Sequence, residues 1–204
     1  PAIVGMTLGF LGFFCGLLGM NAARIAALIS ALLLLVCLAI PWFAMASVPV
    51  RVTGPSAAAQ IDPRQIDKSV SMGVSLSVSI RLGTCLGLIV LTPILASSAE
   101  GIILASLIGA ALMLSTRSIR SRIEVLIGVV SGMAILAWAS YAAALLSPTT
   151  LLLVLVTSLV GSLLVLATNV VTPKVRPWLS RTADTISTVV IIAIPPFALY
   201  IWGM

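Results

Sequence analysis

The chain has 204 residues, 61% hydrophobic and only 8% charged, with a net charge of +6 and a mean hydropathy of +1.27. A soluble domain carries about a quarter of its residues as charges, so this composition excludes one and places the chain in a bilayer. Histidine is absent, which withdraws the usual general base, the commonest metal ligand and the haem ligand together.

A helix crosses the hydrocarbon core with about 20 apolar residues and satisfies its own backbone there, so each long apolar run predicts one span. The runs are 2–20, 25–45, 69–96, 99–116, 123–147, 149–171 and 183–203. The fold class is therefore all-α, a single polytopic transmembrane helical bundle of about seven helices, with a polar loop at 46–68. The chain opens on PAIVGMTLGF, without an initiator methionine or a basic leader. It reads as the later part of something longer.

The first span places Gly5, Gly9, Gly12, Gly16 and Gly19 on one helical face. Small residues let transmembrane backbones approach closely, so this face predicts helix packing, within the chain or against another subunit. The turn Asn21–Arg24 follows. The second span is expected to end at Ile40-Pro41-Trp42, where proline stops a helix and tryptophan suits the interface.

The stretch from Ser47 to Arg81 is the one long polar interruption. Pro49, Gly54, Pro55 and Pro63 forbid a continuous helix through its first half, and Asp62-Pro63 supplies a cap followed by a proline at the first helical position. A helix is expected to start near Pro63. Ser71, Ser75 and Ser79 then repeat every fourth residue as a polar stripe. Arg81, about half a turn on, reads as an anchor snorkelling to the interface, because no acidic partner is expected at membrane depth. The other reading is a charge lining a transport path.

Ser97–Glu100 makes the next turn. The basic turn Arg117-Ser-Ile-Arg120-Ser-Arg122 precedes Glu124, a carboxylate favoured in the first turn of a helix. Ser147-Pro148 joins two spans without charge, and Pro173–Arg181 joins the last two, carrying Lys174, Arg176 and Arg181. The loops after the second, fourth and sixth spans hold nine Lys or Arg residues, whereas the opposite loops hold only Arg24. The positive-inside rule then puts the chain start in the cytoplasm, the chain end outside and the 46–68 loop in the cytoplasm. Arg51, Arg64, Asp67 and Lys68 make that loop the candidate docking surface for a partner.

Other chemistries fit poorly. The basic residues fall in short loops rather than along one amphipathic face, which favours topology over nucleic acid. Cys15, Cys37 and Cys85 are widely spaced inside apolar runs and read as small buried hydrophobes. Asp62, Asp67 and Asp184 lie near loops, where an intramembrane protease has no use for them, and no glycine-rich phosphate loop occurs. An ion-coupled transporter carries ionisable groups inside its bundle, whereas Glu100, Glu124 and Asp184 sit at helix ends. No cofactor or metal is expected, and no enzyme. The Lys174–Arg181 cluster fits anionic lipid headgroups as well as a purely topological role.

Several stretches together resemble EccD, the multi-spanning membrane component of type VII (ESX) secretion systems. They are Ile40-Pro41 running into Val48-Pro49-Val50, then Ile61-Asp62-Pro63 before a span bearing serine and glycine, the Arg117–Arg122 turn, and Pro173–Arg181 followed by Ile194-Pro195-Pro196-Phe197-Ala198-Leu199. The resemblance covers residue 25 onward and implies the last spans of that family, without its ubiquitin-like domain. It implies a non-catalytic structural subunit of the inner membrane that pairs with copies of itself and meets EccB, the EccC ATPase and EccE. A fragment of a small-molecule transporter or permease is the alternative.

Overall fold

The structure is a computed structural model in which residues 9, 21–47, 63–116, 121–170 and 176–203 are described. These form six helices: α1 (Ala22–Ser47), α2 (Pro63–Leu95), α3 (Ala99–Ser115), α4 (Arg122–Leu146), α5 (Pro148–Val170) and α6 (Arg176–Trp202). Among the described residues there is no strand. The expected first span falls outside them except for Gly9, which has no described residue within 4 Å of where a Cβ would stand.

Among the described residues, four helices are long and apolar enough to cross a membrane, over Ala22–Ala39, Gly73–Leu95, Arg122–Leu146 and Asp184–Ile201. Two shorter apolar helices, Ala99–Ser115 and Pro148–Leu163, accompany them. The bundle is organised around α3, which packs against all five others. Its sequence is apolar on every side, as a fully enclosed helix must be. Ile102, Leu104, Ala105, Ile108, Ala111 and Leu112 are all at most 2% exposed.

Local chemistry sets the helix ends. Ser98 caps α3, its hydroxyl accepting from the Gly101 backbone N–H at 3.1 Å. This tight reversal brings Gly101 onto the Leu95 backbone, where a side chain has no room. Ser147 both ends α4, its N–H donating to the Ala143 carbonyl at 3.1 Å, and starts α5, its hydroxyl accepting from the Thr150 N–H at 3.3 Å. Pro148 then occupies the first helical position, where a missing N–H costs nothing. Gly203 ends α6 with φ +87°, the left-handed conformation that glycine adopts without strain. It lies beside the Arg24 guanidinium, so the end of α6 and the start of α1 share one end of the bundle.

Two expected boundaries move. α1 continues through Ile40-Pro41-Trp42 to Ser47. Proline removes one N–H from a helix already about five turns long, and neighbouring groups in a membrane bundle make that loss tolerable. α6 begins at Arg176 and continues past Pro195 and Pro196. Arg176 and Arg181 therefore ride on the helix rather than on the preceding turn. In contrast, the helix start at Pro63 coincides with the expected one.

Candidate functional site

The polar face that α2 turns inward is not the serine stripe. Ser75 is exposed and Ser79 only half-buried, whereas Ser77, Arg81, Thr84 and Thr92 are buried. Their spacing follows one helical face that continues through Cys85 and Leu88 into the core. Counted from Gly73, where the apolar part of α2 begins, Arg81 lies about 12 Å along the helix axis.

Arg81 is 2% exposed, which overturns its reading as a snorkelling residue. Its Nη2 donates to Ser115 Oγ on α3 at 3.3 Å, and its Nε is buried with no hydrogen-bond partner. Arginine keeps its charge, so this is an ionised group inside the bundle. Space for it comes from Gly128 on α4. A Cβ there would stand 3.1 Å from Arg81 Nη2 and 2.5 Å from the Thr116 methyl carbon.

An acidic residue does lie at this depth. Glu124 is in the first turn of α4, as expected, yet only 8% exposed, and its Oε1 accepts from Ser77 Oγ at 2.7 Å. The first turns of α2 carry its polar residues, so the start of α4 lies level with the middle of α2. Ser77 meets Glu124, and one turn further along both helices Arg81 meets Gly128. The two helices therefore run parallel and pack directly on each other, with the chain returning from one to the other through α3.

Beyond this level the seam continues as Thr84, Ser131, Cys37 and Cys85. Ser131 and Thr84 bond carbonyls of their own helices, Ile127 and Arg81. Cys37 and Cys85 are each 2% exposed and free, and they lie near one another where α1 and α2 meet. They are buried as expected, but as neighbours. Among the described residues no group of three or more His, Cys, Asp and Glu occurs that could hold a metal.

The α3–α4 interface is built on glycines the sequence reading passed over. A Cβ on Gly132 would lie 2.9 Å from the Gly109 carbonyl oxygen, and one on Gly109 would lie 3.2 Å from the Gly132 carbonyl. Gly128-Val-Val-Ser-Gly132 is a small-xxx-small motif as plain as those in the first span. On the outer side, a groove of about 440 Å³ opens between α4 and α5, lined by Met113, Met133, Leu136, Leu155 and Leu159. Its serines Ser140, Ser158 and Ser162 bond carbonyls of their own helices, so the groove presents an apolar surface.

The other candidate residues are placed as follows. Gly5, Gly12, Gly16, Gly19, Arg51, Arg117, Arg120 and Lys174 lie outside the described residues. Arg64, Asp67 and Lys68 belong to the first turns of α2, and Arg176 to the first turn of α6. Arg122 and Arg181 are exposed.

A family model described as an EccD-like transmembrane domain matches residues 1–204. No curated protein and no solved structure matches the chain.

Proposed function

The chain belongs to the EccD family, membrane components of type VII secretion systems, and from that premise we propose that it is a non-catalytic structural subunit of an inner-membrane secretion complex. It scaffolds the membrane region of that complex and docks other subunits, including the ATPase. The family match over residues 1–204 carries this reading.

Seven spans cross the membrane in this reading, the first at 2–20. The nine basic residues on one side against Arg24 on the other support a cytoplasmic chain start and a periplasmic end. Arg51, Arg64, Asp67 and Lys68 then face the cytoplasm and meet the ATPase, an EccC-like subunit. The face of Gly5, Gly9, Gly12, Gly16 and Gly19 packs against a neighbouring span or a second copy of the chain. The exposed apolar flanks, such as Leu126, Val130, Leu152, Leu159, Val189 and Ile192, meet lipid acyl chains or EccB- and EccE-like subunits.

Affinity purification of the full-length protein from its own membranes tests both levels. The expected result is an assembly of several different subunits, with less ATPase recovered after Arg64, Asp67 and Lys68 are replaced by alanine. Unchanged ATPase recovery removes the docking surface. A monomeric or small-oligomeric protein that takes up a solute after reconstitution overturns the structural reading in favour of a permease.

A further inference from the structure

We propose that Arg81 and Glu124 form one charge-compensated unit inside the bundle, bridged by water, that fixes the register of α2, α3 and α4. Each charge has a serine at its head, Ser115 for the guanidinium and Ser77 for the carboxylate, and neither bond joins the two charges directly. Ser77 and Arg81 are i and i+4 on α2 while Glu124 and Gly128 are i and i+4 on α4, so the level at which Ser77 meets Glu124 and the level at which Arg81 meets Gly128 are one helical turn apart. A water spans such a step.

The orphaned Nε gives such a water its site. A buried N–H without an acceptor is costly, and this one belongs to a cation that is 2% exposed. The acceptor of right charge on this face is Glu124. A buried cation far from a counter-charge is disfavoured in a bilayer core, whereas a hydrogen-bonded pair is tolerated. Gly128 leaves room beside the guanidinium, because a Cβ there would press on the Thr116 methyl group at 2.5 Å and on Arg81 Nη2 at 3.1 Å. Three helices thus meet at one point that is electrically balanced only in one register.

A double-replacement cycle on the full-length protein in detergent tests this, read as the unfolding midpoint. Arg81→Gln alone and Glu124→Gln alone should each lower it by roughly 10 °C, since each leaves one buried charge unmatched. The combined R81Q/E124Q protein should melt above either single variant. Arg81→Lys, which keeps the charge but not the Nε, should fall between wild type and R81Q. Additive losses in the double variant would overturn the proposal. So would a silent E124Q beside a damaging R81Q, the pattern expected if a lipid headgroup balances Arg81. Where a single variant fails to accumulate, its membrane level is compared in the same cycle, and a double variant no more abundant than the worse single gives the overturning result.

Discussion

The hydroxyl of Ser77 donates to the carboxylate of Glu124 at 2.7 Å, linking α2 to α4 across 47 residues of chain. Hydrogen bonds to charged groups contribute about 1.5–3 kcal/mol, while interhelical bonds in membranes average about 0.6 kcal/mol with a maximum near 1.7. The carboxyl group of Glu124 accepts this bond close to a helix end, so Ser77→Ala should destabilise the solubilised protein by about 1–2 kcal/mol. Ser75→Ala, one turn face away and exposed, should leave the unfolding midpoint unchanged. Equal midpoints for the two variants would remove the bond from the account.

Cys37 and Cys85 offer a readout of the core. Both thiols are 2% exposed and sit where α1 and α2 meet. In a Cys15→Ser background, a small maleimide added to the folded protein in mild detergent should modify neither. After denaturation in SDS it should modify both, as mass spectrometry would count. Rapid labelling of the folded protein would mean that the α1–α2 seam opens.

How far residues alone reveal this arrangement depends on whether a signal is local. Pro63 starts a helix because its fixed φ and missing N–H act on the backbone beside it, and Ser147-Pro148 makes a one-residue joint for the same local reason. Pro41 misleads, because its effect depends on whether neighbouring helices support the backbone around it. Arg81 misleads more: the depth of a charge depends on how far α2 slides past α4, and that offset is a property of packing. Glu124 sits near a helix end by sequence count and at core depth in space. The glycines Gly128 and Gly132 were visible as a spacing, but only their contact with Gly109 and Arg81 separates them from the glycines of the first span.

Orientation yields a direct prediction. Ser97 is exposed in the turn between α2 and α3, and Ser118 lies in the basic stretch before α4. In a cysteine-free background, Ser97→Cys should react with an impermeant maleimide added to intact cells. Ser118→Cys should react only after the membrane is permeabilised. The reverse pattern would invert the topology and place Arg64, Asp67 and Lys68 away from the cytoplasm.

The closest backbone approach between α3 and α4 should be the least forgiving place for added volume. Gly132→Ala puts a methyl group 2.9 Å from the Gly109 carbonyl oxygen and 2.6 Å from Met113 Cγ. The methionine side chain can turn aside, but the carbonyl belongs to the central helix and moves only with it. Overpacking of this kind costs about 1–3 kcal/mol, more than the helix preference of alanine over glycine, about 0.5–1 kcal/mol, can offset. Gly161→Ala is the matched control. Its Cβ would meet only Ala110 Cβ at 3.8 Å, an ordinary contact, so the helix preference should leave that variant as stable as wild type or slightly more so. Unfolding midpoints of the two alanine variants should therefore move in opposite directions, or G132A alone should fall. If G132A melts like wild type while G161A falls, the α3–α4 contact is not the tight seam of this bundle.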